Sequence, residues 1–205
     1  MQEPSSAWPR PDGAITAILA IDLQRDFCAG GSLAVPDGDR VIPIMNRVLD
    51  AAYARGSACY ATRDWHPPNS RHFEPHGQWP VHCVAGSAGA RFHRDLRLPV
   101  GAALVSKGTT ATNDGYSAFE GYLDEAHGTV LQKDLSERGV THLVTGGLAT
   151  DYCVRATVLD AVARGFHVTV IEDGIAAVDR TPGDGQRALD EMRAAGAAII
   201  HSTSL

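Results

Sequence analysis

The sequence predicts an α/β fold of a single domain. In it a six-stranded, mainly parallel sheet is flanked by helices on both faces, in a Rossmann-like three-layer arrangement. Short apolar runs alternate with segments of helical periodicity, which is typical of repeated strand–helix units. The apolar runs are nearly continuous, as in strands covered on both faces. The length of 205 residues and the 44% hydrophobic content fit one domain with a full core.

The predicted elements follow one another in a regular order. We expect strands at residues 14–22, 57–62, 102–106, 142–145, 167–171 and 197–201. We expect helices at residues 41–55, 131–138 and 184–195, and another that is capped by Thr150 or Asp151 and ends at Arg164, before Gly165. The first of these helices is indicated by an apolar stripe at helical spacing, and Gly56 ends it.

Composition and charge exclude several classes of protein. Residues 1–13 lack the basic start and apolar run of a signal peptide, so we expect a loose tail ahead of one domain at 14–205. The longest apolar stretch, 14–21, is too short to cross a bilayer. A net charge of −6 without a basic block argues against nucleic acid as a partner. Four cysteines without a CxxC pair favour a reducing cytoplasm.

The most informative stretch is 146–153, Gly-Gly-Leu-Ala-Thr-Asp-Tyr-Cys, where a buried strand turns into a helix. We expect Cys153 in the first turn of that helix, beside unpaired backbone N–H groups and the positive end of the helix dipole. Such a setting favours the thiolate, which is the nucleophilic form. The alternative is a small buried cysteine that fills a gap in the core.

Two further polar residues lie at the carboxyl ends of predicted strands. Asp22 ends the first strand and Lys107 follows the third. The carboxyl ends of parallel strands share one edge of the sheet, so both side chains can reach the cleft that holds Cys153. The alternatives are an aspartate that caps its own loop and an ordinary surface lysine.

A histidine-rich segment follows the second strand and predicts a metal site. Asp64 and His66 are two positions apart on an extended segment, so both can point the same way. Loops that carry His72 and His82 can complete the site, and His76 remains a possible ligand on spacing alone. One carboxylate with several imidazoles suits zinc, iron or manganese better than calcium or magnesium. The alternative is a solvated loop that is merely rich in histidine.

One stretch matches a dinucleotide-binding glycine pattern and is rejected. Residues 183–188, Gly-Asp-Gly-Gln-Arg-Ala, precede a helix but do not follow directly on a strand. No acidic residue stands about 20 positions further on, where such a site holds the ribose. We therefore expect these glycines only to loosen a loop and begin a helix.

The chain resembles the nicotinamidases of the isochorismatase-like cysteine hydrolase superfamily. The resemblance spans roughly residues 15 to 200, and its segments occur in the same order as in that family. They are 21–27 (Ile-Asp-Leu-Gln-Arg-Asp-Phe), 30–33 (Gly-Gly-Ser-Leu), 64–66 (Asp-Trp-His), 72–73 (His-Phe), 79–84 (Trp-Pro-Val-His-Cys-Val), 107–108 (Lys-Gly) and 147–154 (Gly-Leu-Ala-Thr-Asp-Tyr-Cys-Val).

This resemblance implies the role of each candidate residue. It implies a catalytic triad of Asp22, Lys107 and Cys153. It implies an oxyanion hole formed by the backbone N–H groups of Ala149 and Cys153, and a cis peptide bond between Leu148 and Ala149. The remaining implied residues hold one divalent metal ion (Asp64, His66, His72 and His82) or flank the substrate ring (Phe27, Trp79 and Tyr116).

The implied activity is hydrolysis of nicotinamide to nicotinic acid and ammonia through a thioester on Cys153, as in NAD salvage. The implied setting is a cytoplasmic isochorismatase-like hydrolase domain with a small-molecule substrate, with no nucleic-acid or membrane partner and with a possible homo-oligomer. One alternative is a related cysteine hydrolase that acts on another small amide or carbamoyl compound. A binding or scaffold domain is a second alternative, which the presence of Cys153 disfavours.

Overall fold

The computed structural model describes residues 13–123 and 128–205, and it confirms the predicted α/β fold. Its sheet has the order β3-β2-β1-β4-β5-β6, and every pair of neighbouring strands is parallel. The strands are β1 (Thr16–Ile21), β2 (Ala58–Asp64), β3 (Ala103–Lys107), β4 (His142–Leu148), β5 (His167–Ala176) and β6 (Ala198–Ile200). The predicted tail at 1–13 lies outside the described residues except for Gly13.

Within residues 13–123 and 128–205, four α-helices cover the two faces of the sheet. They are α1 (Val41–Ala54), α2 (Leu131–Glu137), α3 (Arg155–Ala163) and α4 (Asp184–Ala195). The apolar side of α1 packs in one core cluster, and α2, α3 and α4 contribute to the other. In the described part of the chain, no helix is long and apolar enough to span a membrane.

The pleat of β1 explains why two cores form. Ile18 and Ala20 pack in the cluster that contains α1, whereas Leu19 and Ile21 pack in the cluster on the opposite face. All four side chains are buried, because successive residues of a strand point to opposite faces and both faces are covered. The continuous apolar sequence of β1 therefore follows from its central position.

The strand order places a crevice between β1 and β4. From β1 the chain builds outward through β2 and β3 on one side, and through β4, β5 and β6 on the other. Ligands of open α/β sheets bind where the order reverses, outside the carboxyl ends of the strands. Asp22 follows β1 and Cys153 lies shortly after β4, so both candidate residues border this crevice.

The largest difference from the sequence prediction is the end of β5. The strand continues to Ala176, five residues beyond the predicted end, through the polar Glu172 and Asp173. Its register with β4 shifts between Thr145 and Gly147, so the pairing resumes after an irregularity. Polar residues interrupt the apolar pattern there, which is why periodicity alone stopped the strand too early.

Candidate active site and metal centre

The nucleophile segment begins with a close approach of two strands. Gly147 pairs with Ile21 of β1 and has a φ of 134°. A Cβ atom at Gly147 would lie 2.0 Å from the carbonyl oxygen of Ile21, so the chain can pass here only with glycine. The peptide bond between Leu148 and Ala149 is cis, as the resemblance implied.

Cys153 lies in a single π-helical turn, Thr150–Val154, rather than in the first turn of the α-helix itself. Val154 donates from its backbone N–H to the carbonyl oxygen of Ala149, five residues earlier. The predicted capping by Thr150 or Asp151 is wrong, because neither side chain caps this turn. Asp151 instead accepts hydrogen bonds from the backbone N–H groups of Val178 and Asp179, at 3.0 and 2.9 Å.

Burial opposes the preference for the thiolate that the helix end was expected to give Cys153. Burial raises the pKa of the Cys153 thiol well above its ordinary value, and the nearby Lys107 ammonium only partly opposes this. The sulfur is surrounded by protein, so the cost of desolvating an anion exceeds the help from the backbone dipole. The resting sulfur is therefore a thiol that must lose its proton during reaction.

Lys107 is completely buried and connects the other reactive groups. Its Nζ lies 2.7 Å from Oδ2 of Asp22 and 3.4 Å from Sγ of Cys153, and it also forms an ion pair with Asp64. It donates a further hydrogen bond of 2.7 Å to the carbonyl oxygen of Gly115. Burial alone would lower the pKa of this ammonium, but the two carboxylates hold it well above its ordinary value.

The two carboxyl groups beside Lys107 differ in their affinity for protons. Burial raises the pKa of Asp22 to about 6, against the opposing effect of Lys107. Burial acts in the same direction on Asp64, but Lys107 and His66 outweigh it and hold the pKa of Asp64 below its ordinary value. The sulfur of Cys153 and both carboxylates lie within 4.8 Å of one another. Asp22 is thus the group placed and tuned to exchange a proton with the sulfur.

Of the four histidines in the segment after β2, three bring their imidazole rings together. His66, His72 and His82 are buried, and each offers a ring nitrogen within 4.8 Å of the others. The ring of His66 packs against Gly108, where a Cβ atom would lie 2.4 Å from Cε1 of the imidazole. His76, which spacing left open, is exposed and lies outside this group.

The hydrogen bonds of these imidazoles define which nitrogen is free. Nδ1 of His66 lies 3.1 Å from the carbonyl oxygen of Gly108, and Nδ1 of His82 lies 2.7 Å from that of Pro80. Nδ1 of His72 lies 3.1 Å from the carboxylate of Asp114. Carbonyl and carboxylate oxygens can only accept hydrogen bonds. Each Nδ1 therefore carries the hydrogen of its ring, and each Nε2 presents a lone pair.

This arrangement fits a divalent cation. Nε2 of His66 is buried and has no hydrogen-bond partner among the described residues, which is costly unless another group binds it. Oδ2 of Asp64 lies 3.6 Å from that nitrogen and can supply an oxygen ligand. Burial lowers the pKa of His72, and it lowers that of His82 to about 4, so both rings favour the neutral form that binds metals.

A small cavity opens between Cys153 and the imidazoles. The three residues predicted to flank a substrate ring, Phe27, Trp79 and Tyr116, all line it, together with Tyr152 and Ala149. Nε1 of Trp79 donates a hydrogen bond of 2.9 Å to the hydroxyl oxygen of Tyr116. The rings of Trp79 and Tyr152 meet edge to face, with centroids 4.9 Å apart. The cavity is thus narrow, aromatic and bordered by the sulfur.

The isochorismatase domain family matches residues 16–204, nearly all of the chain. The chain belongs to this family.

Several proteins with known functions or structures are similar to this chain over almost their whole lengths. The nicotinamidase of Escherichia coli (strain K12) is 43% identical, over 89% of this chain and 93% of that protein. The pyrazinamidase of Pyrococcus horikoshii, solved in complex with zinc, is 41% identical with a TM-score of 0.83, over 91% of this chain and 99% of that one. PnC1 from L. infantum, solved in complex with nicotinate, is 36% identical with a TM-score of 0.84, over 94% of this chain and 95% of that one.

Sequence reasoning missed several residues that support this isochorismatase-family site. Thr62 donates a hydrogen bond of 2.6 Å to Asp22, and Asp114 orients His72. Tyr152 lines the cavity, and Gln24 bonds to the backbone of Asp64. Gln24 and Tyr152 lie within the two segments that carry the family resemblance, which was the one available signal for them. Thr62 and Asp114 are ordinary residues of a strand and a turn, with no distinguishing pattern.

Proposed function

We propose that this chain hydrolyses nicotinamide to nicotinic acid and ammonia, with Cys153 as the nucleophile. The observation that carries the proposal is the position of Lys107, whose Nζ lies 2.7 Å from Asp22 and 3.4 Å from the sulfur of Cys153, beside three converging imidazoles. A thiol that lines an aromatic cavity, with a buried ammonium and a buried acid beside it, suits attack on a small planar amide. The similarity to nicotinamidases supports this substrate.

The first half of the reaction forms a thioester. The sulfur of Cys153 attacks the carboxamide carbon while its proton passes to Asp22, whose pKa of about 6 suits a base near neutral pH. Lys107 compensates the charge that remains around Asp22 and the sulfur. The carbonyl oxygen becomes an oxyanion, for which the backbone N–H groups of Ala149 and Cys153 are the proposed donors. When the carbon–nitrogen bond breaks, Asp22 returns the proton and ammonia leaves.

The second half releases the acid. Water attacks the thioester carbonyl and gives a proton to Asp22, and the carbon–sulfur bond then breaks. The sulfur of Cys153 takes up that proton, and nicotinic acid leaves with the enzyme regenerated. Asp22 therefore accepts and returns one proton in each half-reaction, while Lys107 stays charged throughout because its pKa is far above neutrality.

The ligand set proposed for a divalent ion is Asp64, His66, His72 and His82. When bound, zinc, iron or manganese would supply an electrophilic anchor for the ring nitrogen of the substrate. The aromatic residues Phe27, Trp79 and Tyr116 are proposed to hold the ring itself, so that its carboxamide faces Cys153.

Ammonia release tests this function and separates it from the alternative. Nicotinamide should be turned over far faster than a panel of other small amides and carbamoyl compounds. Cys153→Ala should abolish turnover, whereas Cys59→Ala, which removes another buried cysteine outside the cavity, should leave it intact. Preference for a different amide would transfer the proposal to a related hydrolase. Full activity of Cys153→Ala would overturn the proposed nucleophile.

Metal content tests the ligand set separately. His66→Ala should lower the zinc bound per chain, because that variant removes the buried Nε2 atom for which the described residues offer no hydrogen-bond partner. Unchanged metal content in His66→Ala would contradict the assignment. A cytoplasmic location and the absence of nucleic-acid partners complete the proposal, and fractionation and gel-shift measurements respectively test them.

A further inference from the structure

Gln24 has a completely buried side chain whose carboxamide is fully used. Its Nε2 donates to the carbonyl oxygens of Asp64 and Ala90, at 2.8 and 2.9 Å. Its Oε1 accepts a hydrogen bond of 2.8 Å from the backbone N–H of Asp64. Both amide hydrogens and the amide oxygen thus have partners, and two of the three bonds hold the same residue.

On the β1 side of Asp64, the sheet has no strand that could pair with the backbone of this residue. Pairing between β1 and β2 ends at Ala20 and Ala61, whereas β2 continues beside β3 until Asp64 pairs with Lys107. After β1, Asp22 adopts a φ of 49° and turns the chain away from the sheet. The N–H and C=O of Asp64 face the side where no strand runs, and the carboxamide of Gln24 takes the place of the missing peptide group. A buried backbone pair without such partners would be costly.

The consequence concerns the side chain of Asp64. Fixing both backbone groups of Asp64 fixes the direction of its Cβ and therefore of its carboxylate, which pairs with Lys107 through Oδ1. Its Oδ2 is held 3.6 Å from the free nitrogen of His66. The third bond of Gln24, to Ala90, ties the same point to the loop that follows His82.

We propose that Gln24 is a positioning residue for the metal centre. It touches neither substrate nor metal, but it holds Asp64 in the one orientation in which that carboxylate meets both Lys107 and the imidazole cluster. This inference rests on the proposed function, because it takes the imidazoles and Asp64 as the metal ligands. Partners that orient metal ligands contribute strongly to affinity, and losing one weakens binding by about 10- to 100-fold.

The test is zinc affinity measured by competition with a chromophoric chelator, without substrate. Gln24→Met keeps the size of the side chain and removes its three hydrogen bonds. We expect its dissociation constant for zinc to rise about 10- to 100-fold relative to the unaltered protein. If Gln24→Met does not fold, Gln24→Asn serves instead, because it retains the carboxamide one methylene too short to reach Asp64 and should weaken zinc binding in the same direction.

The chain offers a matched control in Asn46. This second buried carboxamide, on α1, donates to the carbonyl oxygen of Asp95 and accepts from the backbone N–H of Arg97, both at 2.8 Å. Asn46→Leu therefore removes a comparable buried clamp away from the imidazoles. It should lower the free energy of unfolding but leave the zinc dissociation constant unchanged.

The outcomes separate this inference from the proposed function. Weaker zinc binding in Gln24→Met but not in Asn46→Leu supports the positioning role. Unchanged zinc affinity in Gln24→Met, or equal weakening in both variants, overturns that role and leaves the proposed hydrolysis untouched. Failure of the unaltered protein to bind zinc, iron or manganese overturns the ligand set and the inference together.

Discussion

Replacing Lys107 by methionine should destabilise the protein through charge rather than packing. Methionine fills a similar volume, but it leaves the carboxylates of Asp22 and Asp64 buried without the ammonium that lies between them. Removing one partner of a buried ion pair costs about 3–5 kcal/mol, because an uncompensated buried charge remains. We expect a loss in that range at neutral pH, with the metal removed by a chelator so that no other cation compensates.

The dependence of this loss on pH follows from Asp22. Its pKa in the folded protein, about 6, already exceeds the ordinary value of 3.8, and removal of Lys107 raises it further. The folded state then binds more protons than the unfolded state from about pH 4 upward, so stability falls as pH rises through this window. Because Asp22 of the unaltered protein has a pKa of about 6, the Asp22 part of the deficit of Lys107→Met should open above about pH 6, grow as the pH rises further, and be small below pH 6.

Urea unfolding at acidic and neutral pH measures both effects. Adding Asp22→Asn to Lys107→Met should recover part of the lost stability, because one of the two uncompensated charges disappears. A loss below about 1 kcal/mol in Lys107→Met would contradict a buried ion pair between Lys107 and the two carboxylates, since that is the size expected of an exposed pair. A deficit that is the same at both pH values would refute the assigned role of Asp22.

Three further predictions concern turnover and metal binding. The kcat/KM for nicotinamide should fall on acidification with an apparent pKa near 6, because protonated Asp22 cannot accept the thiol proton. Metal content is monitored at each pH as a control. A kcat/KM that does not change between neutral and acidic pH would argue against Asp22 as the base. Tyr116→Phe should raise KM roughly fivefold with little change in kcat, since Trp79 loses a hydrogen bond of about 1 kcal/mol. The exposed Tyr53 provides the control variant, Tyr53→Phe. An unchanged KM in Tyr116→Phe would contradict this prediction. Asp114→Ala should weaken zinc binding about tenfold by freeing His72, and equal affinity in chelator competition would disprove that role.

The sequence predicted the meeting of distant residues because parallel strands leave little freedom. Once residues 14–22 and 142–145 were identified as buried parallel strands, Asp22 and Cys153 had to lie at the same edge of the sheet. The three imidazoles converge as residue type and position suggested, and the structure excludes the exposed His76, which spacing could not. These features follow from periodicity and from the known geometry of such sheets.

The features that sequence reasoning missed depend on irregular backbone. Asp22 and Cys83 adopt φ values of 49° and 44°, which neither residue's sequence context indicates. The path of these loops brings Gln24 to Asp64, and no periodic pattern records such a contact. The effect of burial on the Cys153 thiol was missed for a related reason, because a position next to a helix end is visible in the sequence but the extent of burial is not.

The central claim is that the sulfur of Cys153 carries the acyl group during hydrolysis. Rapid acid quenching of the enzyme during turnover of nicotinamide, followed by peptide mass spectrometry, tests it most directly. We expect a nicotinoyl group on the peptide that contains Cys153, and no such adduct in Cys153→Ala. Rapid turnover with an unmodified Cys153 peptide, together with an active Cys153→Ala variant, would contradict it.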